Sequence, residues 1–376
     1  MLISIDCRYV RERPSGIGAY AQALVDRLPA LAPSDDFLLW VDPRARRPLS
    51  PQPNVTEATV KAAANSLPTL LWPGRLCDLR GVDVLHLPSN LLGRGIRCPT
   101  VVTVHDLIWL LAPASAQGLL PAVPAQWLFY GNGIRRALRS ATRIVTVSAA
   151  TAHSIALFMP EATRRIRVIT HGVEACYGPP ESVSQARVLA SRAIGSEHPY
   201  FLVIGQNAPY KNHGAILEAF AAARLAPEVR LCFVQRLYGS DKLARQAREL
   251  GLGDRVRWLE PQSRDELIAL MQSTLGLVQF SRFEGFGMPV AEAMACGAPV
   301  LCSDIPALCE VAGGAGVHVP LYVPALAAEL ARLAGDPVLR SELGARGVER
   351  ARSFSWDRCA ALHLEAYREA AAAGGA

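Results

Sequence analysis

The stretch that decides the fold reads Glu284-Gly285-Phe286-Gly287-Met288-Pro289-Val290-Ala291-Glu292. Proline is favoured in the first turn of a helix, where its missing N–H would have no intrahelical partner, so a helix is predicted to open at Pro289. The glycines let backbone N–H groups approach a ligand, and a helix N-terminus attracts phosphate. Side chains lean toward the N-terminus of their helix, so Glu292 should reach the crevice that Glu284 faces. The alternative is a buried helix start with two solvated acids.

The composition indicates a folded α/β protein. With 376 residues the chain is long enough for two domains, and charged residues make up 19% of it. Its nine cysteines include no Cys-x-x-Cys pair, which argues against a zinc site or a disulfide framework and for reduced thiols in a cytoplasm. Residues 1–6 become charged too early for a secretory signal and are predicted to form the first strand.

The net charge of +6 is unevenly distributed. Residues 1–180 hold 19 Lys and Arg against 12 Asp and Glu, whereas residues 181–376 hold 20 against 21. This asymmetry suggests two domains with different partners. Nucleic acid is disfavoured because basic and aromatic residues are not interleaved, and an anionic membrane surface or a phosphate-bearing acceptor fits better.

Short apolar runs alternate with helical stretches, which predicts parallel sheets with crossover helices. Strands are predicted at 2–6, 37–41, 82–87, 101–105, 144–148 and 166–170, and then at 201–205, 231–235, 256–260, 276–280, 299–303 and 316–319. A linker is predicted within 174–199. Ser355 is a plausible N-cap for a last helix over about 357–372.

The 284–292 string resembles the Glu-seven-residues-Glu signature of the retaining glycosyltransferases of family four, the group 1 glycosyltransferases. Further matching segments follow in that family's order at 15–20, 105–107, 145–148, 171–173, 211–212, 299–313 and 346–356. The resemblance spans nearly the entire chain. It implies the GT-B fold, in which two Rossmann-like α/β domains with doubly wound parallel sheets face a cleft. Residues 1–185, completed by 356–376, would bind the acceptor, and residues 198–355 would bind a nucleotide sugar. The C-terminal helix would cross back to the first domain.

The resemblance assigns roles to residues of the deciding stretch. Glu284 would be catalytic, accepting hydrogen bonds from the donor sugar and favouring positive charge at the anomeric carbon. Glu292 would accept hydrogen bonds from the ribose hydroxyls. The backbone of the turn between them would bind the phosphate or the sugar, through Gly285, Phe286, Gly287 and Met288.

Lys211 follows the predicted strand 201–205 by one loop. A cation there would neutralise the leaving diphosphate in place of a metal ion, and the sequence contains no Asp-x-Asp motif to hold one. The family often has an arginine at one of two places where this chain has Gln206 and Tyr210. Arg282 and Arg236 are the candidates for that second positive charge.

In the first half, Gly16 and Gly18 form a Gly-x-Gly-x-x-Ala string that could indicate a dinucleotide site. The glycines follow the predicted strand at too great a distance in sequence for a dinucleotide site. We therefore interpret them as a loop that approaches the donor diphosphate. His105 ends an apolar strand, where open α/β sheets bind ligands, and by resemblance it would be a catalytic hydrogen-bond donor beside the sugar. Ser148 and His171 are weaker candidates.

Residues 107–134 contain no charged residue, and Arg135, Arg136, Arg139 and Arg143 follow them. The segment contains prolines and glycines that exclude a continuous membrane-spanning helix. It is either a loop folded over its own core or a surface that enters an anionic bilayer while the arginines meet phosphates.

The resemblance implies a retaining, metal-independent hexosyltransferase without a cofactor. The predicted donor is GDP-mannose, with UDP- and dTDP-sugars open. The predicted acceptor is a glycan or a polyprenyl-diphosphate-linked sugar of bacterial lipopolysaccharide or exopolysaccharide, met by a cytoplasmic protein peripheral to the inner face of the membrane. A nucleotide-sugar epimerase and a catalytically silent binding subunit are the alternatives.

Overall fold

The computed structural model describes residues 1–11, 16–45, 47–117, 123–235 and 240–374. The chain folds into two units. Unit 1 comprises Met1–Ala114, Leu119–Gly172 and Ser355–Ala376, and unit 2 comprises Ser115–Gly118 and Val173–Phe354. Unit 1 therefore stops at Gly172 before its final segment, and not at the predicted residue 185.

Unit 1 is built on a parallel sheet. In its described residues the strands are β1 (Leu2–Asp6), β2 (Asp36–Val41), β3 (Val55–Thr59), β4 (Val84–Leu87), β5 (Thr100–Val104), β6 (Arg143–Thr146) and β7 (Ile166–Val168). Their spatial order is β3-β2-β1-β4-β5-β6-β7. The helices before Gly172 are α1 (Gly16–Val25), α2 (Leu28–Leu31), α3 (Leu67–Leu71), α4 (Ile108–Leu111), α5 (Pro113–Gln117), α6 (Val123–Ser140) and α7 (Ala149–Phe158), with 3-10 turns at Pro73–Arg75 and Pro160–Arg165.

Unit 2 repeats this architecture with fewer strands. Its described residues form β8 (Tyr200–Ile204), β9 (Arg230–Val234), β10 (Val256–Leu259), β11 (Gly276–Gln279), β12 (Val300–Ser303) and β13 (Val317–Val319), in the order β10-β9-β8-β11-β12-β13. The helices are α8 (Val183–Ile194), α9 (His213–Ala222), α10 (Ser240–Glu249), α11 (Arg264–Ser273), α12 (Met288–Ala295), α13 (Pro306–Ala312), α14 (Val323–Gly335) and α15 (Pro337–Ala351). Single 3-10 turns lie at Pro209–Lys211, Gly253–Arg255 and Gly313–Ala315.

The last helix, α16 (Trp356–Gly374), belongs to unit 1 and packs on α1, α2 and the central strands. The predicted return of the C-terminal helix to the first domain is thereby confirmed. The predicted linker contains α8, which packs on α11 inside unit 2. That packing explains why the division between the units falls earlier in the chain than the sequence suggested.

All twelve predicted strands are present, within two residues of the predicted bounds. The strand that sequence reasoning missed is β3, which reads Val-Thr-Glu-Ala-Thr and lies at the edge of the sheet, half exposed. Edge strands lack the continuous apolar run of strands that are buried on both faces. Its pattern was therefore too polar to stand out.

Each sheet has a switch point, where consecutive connections leave in opposite directions. In unit 1 it lies between β1 and β4, and in unit 2 between β8 and β11. Open α/β sheets bind ligands outside the carboxyl ends of the strands at such points. Functional side chains are therefore expected at the two switch points.

The charge-free segment 107–134 forms α4, α5 and the start of α6, apart from residues 118–122, which lie outside the described residues. Trp109 stacks on Tyr130 at 4.5 Å between ring centroids, and both pack against the unit 1 core. For the most part, the segment is thus folded over its own core. Among the described helices, none combines the length and apolar character needed to cross a membrane.

Three of the four predicted phosphate-binding arginines make contacts within unit 1. Arg136 Nη1 donates to the carbonyl oxygens of Leu70 and Leu92, at 3.4 and 3.2 Å. Arg143 pairs with Glu369 on α16 at 2.9 Å. The Arg135 guanidinium lies over two aromatic rings, and Arg139 is the one exposed member of these four. Three of the four arginines thus have partners within unit 1, and their contact with lipid phosphates stays a prediction.

Candidate functional site

Lys211 and Glu284 meet at the switch point of unit 2. Lys211 ends the 3-10 turn that follows β8, and Glu284 follows β11. Lys211 Nζ lies 2.7 Å from Glu284 Oε1, and the two side chains are 11% and 10% exposed. Two residues that are 73 positions apart in sequence thus form one nearly buried ion pair where the fold favours a ligand.

Glu284 Oε1 accepts two more hydrogen bonds, from Gln279 Nε2 at 2.6 Å and from Ser281 Oγ at 2.7 Å. None of these three hydrogen bonds uses Oε2. Gln279 and Ser281 were missed by sequence reasoning, although both belong to the end of the strand that leads to Glu284. Their polar character inside a buried strand end was the available signal.

The turn that carries Lys211 depends on two residues with positive φ. Asn212 has φ 58° and begins α9, and Gly205 at the end of β8 has φ 139°. A Cβ on Gly205 would lie 3.5 Å from Lys211 Cε, so the lysine stem runs directly along the glycine backbone. Asparagine and glycine are the residues that most readily adopt such conformations.

Arg282 lies beside this turn. Its backbone N–H donates to Tyr210 O at 2.7 Å, and its Nε donates to Asn212 Oδ1 at 3.2 Å. The side chain is exposed. The structure thus brings a second cation next to the Lys211 turn, as the sequence suggested, while Arg236 lies outside the described residues.

The turn from Gly285 to Met288 leads into α12. Gly287 has φ 103°, and a Cβ there would lie 2.5 Å from Leu308 Cδ2, so both conformation and space require glycine. Phe286 is buried, and its ring meets Phe354 edge-on at 5.4 Å. The ring of Phe286 therefore contributes to the packing of unit 2. The helix begins at Met288, one residue before the predicted Pro289.

Glu292 lies one turn inside α12 and is partly exposed. Burial raises its pKa to about 7, although a hydrogen bond with Tyr177 and the nearby Arg264 oppose this rise. Near neutral pH the carboxyl group is therefore part protonated. Tyr177 was not predicted, because it lies in the segment that sequence reasoning assigned to a linker.

The candidates of unit 1 lie at its own strand ends. Gly16 and Gly18 lie in the first turn of α1, and not in the predicted loop. Ser15 before them is outside the described residues. His105 directly follows β5, and its Nε2 lies 3.0 Å from Pro88 O. Burial lowers its pKa to about 4, so the ring is neutral.

The contact with Pro88 decides the tautomer of His105. A carbonyl oxygen can only accept, so Nε2 carries the proton and Nδ1 carries the lone pair. The ring stacks on His171 at 5.5 Å between centroids and meets Tyr20 edge-on at 5.1 Å. In this tautomer Nδ1 is the ring atom that can accept a hydrogen bond, and the role of His105 as a donor beside the sugar stays a prediction.

A chain of hydrogen bonds, here called the buried relay, includes Tyr20, whose ring contacts His105. It consists of Tyr367, His86, Thr103, Tyr20 and His363, all at most 2% exposed. The hydrogen bonds between successive members measure 2.7, 2.9, 2.9 and 2.6 Å, and His363 Nδ1 lies 2.7 Å from Cys359 O. Because Cys359 O must accept, His363 Nε2 accepts from Tyr20. The relay begins and ends on α16, and nothing in the sequence pattern indicated it.

No group of three His, Cys, Asp or Glu side chains suited to a metal ion occurs in the part of the chain that the structure describes. Lys211 and Arg282 both contribute positive charge at the unit 2 switch point.

Comparison with known families gives two matches in chain order. Residues 14–175 match the model described as Glycosyltransferase Family 4, and residues 185–350 match the model described as Glycosyl transferases group 1. The chain is 30% identical over 305 residues to MMP alpha-(1->4)-mannosyltransferase of Mycolicibacterium hassiacum, which covers 77% of this chain and 71% of that protein. It is also 30% identical over 241 residues to O-antigen chain mannosyltransferase B of Escherichia coli, covering 63% of each.

Solved structures share the fold at low identity. Sucrose-phosphate synthase from Thermosynechococcus elongatus matches with a TM-score of 0.76 and 20% identity, covering 99% of this chain and 100% of that one. Anabaena HepE, solved in complex with UDP-glucose, matches with a TM-score of 0.71 and 16% identity, covering 97% and 99%. The chain belongs to the group 1 glycosyltransferases of family 4 and has their two-domain GT-B fold.

Proposed function

We propose that this glycosyltransferase moves a sugar from a nucleoside diphosphate donor to an acceptor hydroxyl with retention of anomeric configuration. The observation that carries the proposal is the Lys211–Glu284 pair at the switch point of unit 2. A cation and a carboxylate in contact there match the two ends of a sugar diphosphate, one anionic and one rich in hydroxyl groups.

The proposed reaction takes place on one face of the sugar. The bond between the anomeric carbon and the diphosphate oxygen breaks with its electron pair going to the diphosphate, whose charge Lys211 and the N-terminus of α12 stabilise. Glu284 accepts hydrogen bonds from the sugar hydroxyls and favours the positive charge that develops on the ring. The acceptor oxygen then bonds to the same face, and its proton passes to the departing phosphate oxygen. Glu292 accepts hydrogen bonds from the ribose hydroxyls.

For the donor we propose GDP-mannose, with UDP- and dTDP-sugars as the alternatives. Two relatives named as mannosyltransferases support mannose. For the acceptor we propose a glycan or a polyprenyl-diphosphate-linked sugar of a bacterial surface polysaccharide, which the name of the Escherichia coli relative supports. Such an acceptor would be met at the inner face of the cell membrane by a peripheral cytoplasmic protein.

Thermal denaturation in the presence of individual nucleotide sugars tests the donor. A ligand that binds the folded state raises its stability by mass action, so GDP-mannose should raise Tm more than UDP-glucose or dTDP-glucose. Product analysis then separates the alternatives. A transferase releases GDP and glycosylates an acceptor, an epimerase returns an altered nucleotide sugar, and a silent subunit binds without turnover. Either of the last two results would contradict the proposal.

A further inference from the structure

One corner of unit 1 is built from segments that carry apolar and basic side chains but contain no Asp or Glu. It is formed by α3, the turn Pro73–Arg75, residues 92–97 and α6, and is called here the acid-free corner. The sequence contains no Asp or Glu between residues 57 and 78, between 83 and 106, or between 106 and 161. Every segment of the corner falls inside one of these three gaps.

Direct contacts make the corner one continuous surface. Arg94 N donates to Leu70 O at 2.9 Å, which ties residues 92–97 to α3. A Cβ on Gly93 would lie 2.4 Å from Thr69 O, so the two backbones meet where only glycine fits. From α6, Arg136 reaches the carbonyl oxygen of Leu70. Residues 92–97 and α6 are therefore both held against α3, which continues directly into the turn Pro73–Arg75.

Large apolar side chains project from this corner into solvent. Leu67 is 61% exposed, Trp72 52% and Leu128 54%. Leu67 and Trp72 lie at the two ends of α3, and Leu128 lies two turns before Arg136 on α6. Indole rings and leucines that surround basic side chains are typical of surfaces that enter the interface of a membrane.

The basic side chains of the corner are available to a partner. Arg75, Arg94 and Arg97 are exposed, and within the described residues none of them forms an ion pair or a side-chain hydrogen bond. Arg139 is exposed at the end of α6. Arginine binds phosphate oxygens through paired N–H groups, and lipid headgroups present such oxygens in a plane.

We propose that the acid-free corner binds the anionic surface of a lipid bilayer. Trp72, Leu67 and Leu128 enter the headgroup region, and the exposed arginines contact lipid phosphates. The surface lies partly outside the segment that the sequence suggested, because packing uses most of the arginines of that segment. A lipid-linked acceptor would explain why an enzyme needs this surface, and this one point rests on the proposed function.

Sedimentation of the full-length protein with vesicles tests the proposal. The vesicles are phosphatidylcholine alone and an equimolar mixture with phosphatidylglycerol. The parent should pellet with the anionic vesicles, less so at high salt, because salt screens the arginines. The variant Arg75→Gln/Arg94→Gln/Arg97→Gln should bind at least about tenfold more weakly, since each basic residue near an anionic surface contributes to the attraction. Trp72→Ser should also weaken binding.

Unit 2 supplies matched controls. Arg187→Gln/Arg245→Gln/Arg248→Gln removes the same charge from exposed helical positions, and Leu321→Ser/Tyr322→Ser removes exposed apolar groups, 45% and 62% accessible. Both should pellet like the parent. Absence of pelleting by the parent, or equal loss in both arginine triples, would overturn the proposal. Turnover of a nucleotide sugar in detergent-free solution is measured in parallel, so a failure of the proposed reaction with intact vesicle binding is recognised as such.

Discussion

At the scale of the residue, one carboxylate oxygen joins the parts of the candidate site. Glu284 Oε1 accepts hydrogen bonds from Lys211, Gln279 and Ser281. Lys211 is thus paired with an anion, which a bound diphosphate would have to replace under the proposed function. Removing one partner of a nearly buried ion pair leaves the other charge without compensation, which costs about 3–5 kcal/mol.

Replacing Glu284 by alanine should lower kcat by about a hundredfold or more. The reason is that the positive charge that Glu284 would stabilise on the sugar ring develops only in the transition state. Glu284→Gln keeps the shape and should lose nearly as much activity while melting closer to the parent. Steady-state kinetics and thermal melts measure the two effects. Glu342→Gln on the exposed face of α15 is the control, and wild-type turnover by Glu284→Ala would show that the site is wrongly assigned.

The proposed role of Glu292 predicts that nucleotide binding depends on pH. Its pKa of about 7 means that the carboxylate, the form that accepts from two ribose hydroxyls, gains population as pH rises from 6 to 8. The Kd for GDP should therefore fall across this range in the parent, as isothermal titration calorimetry would show. In Glu292→Gln only the diphosphate itself still titrates in this range. If the Kd for GDP fell as steeply with pH in this variant as in the parent, the assignment of Glu292 to the ribose would be contradicted.

The proposed role of Lys211 predicts that the reaction needs no metal ion. Since a lysine and the N-terminus of α12 can stabilise the leaving diphosphate, turnover should be unchanged in EDTA. Lys211→Met should lose at least about a hundredfold in kcat, and magnesium should not restore it. Turnover that EDTA abolishes and magnesium restores would contradict this prediction.

At the scale of the element, the turn before α12 has the strictest geometry. Gly287 has φ 103° and Leu308 leaves no room for a Cβ. The helix must also begin there for its N–H groups to face a phosphate. A single residue therefore sets both the direction of α12 and the approach to its N-terminus.

Gly287→Ala should destabilise the protein by about 2–4 kcal/mol, from the strained backbone and the forced movement of Leu308. Thermal denaturation measures it, and nucleotide affinity should fall as well. Gly314→Ala is the matched control, because a Cβ there meets nothing within 4 Å and the φ of Gly314 is not left-handed. Equal melting of the two variants would show that the turn tolerates a side chain.

At the scale of the whole molecule, unit 1 contains a set of histidines that must remain neutral. Burial lowers the pKa of His105 and His363 to about 4 and that of His86 and His171 well below the ordinary value. In the unfolded chain they titrate near 6.5. Their contribution to stability is therefore present above pH 6.5 and is lost as pH falls toward 4.

Tm should therefore fall between pH 7 and pH 5. For His363 alone, the lowered pKa corresponds to a loss of roughly 3 kcal/mol in the free energy of unfolding once the pH is below 4. Glu292 acts in the opposite direction, because its raised pKa stabilises the fold below 4.5 and less so toward 7. His363→Gln should lower Tm at pH 7 and make Tm depend less steeply on pH. His153→Gln, at an exposed position, should leave both Tm and its pH dependence unchanged. A parent Tm that is constant from pH 7 to 5 would contradict this account.

The sequence by itself determined the parts that depend on local pattern. Apolar runs separated by helical stretches predicted twelve strands and two parallel sheets, and the glycine, proline and glutamate spacing of 284–292 predicted a helix start between two carboxylates. These features are readable because backbone conformation and strand burial depend on neighbouring residues. The family resemblance assigned both Lys211 and Glu284 to catalysis, and the fold of unit 2 brings the two side chains into contact.

Only the tertiary structure decided which polar groups are already used. In the sequence alone, Arg136 and Arg143 have no obvious partner. In the fold, Arg136 donates to the carbonyl oxygen of Leu92, and Arg143 forms an ion pair with Glu369 on α16. The tautomer of His105 depends on Pro88, and the buried relay joins residues up to 343 positions apart. Hydrogen bonds of this kind are set by which helix packs on which strand, and no local pattern encodes that choice.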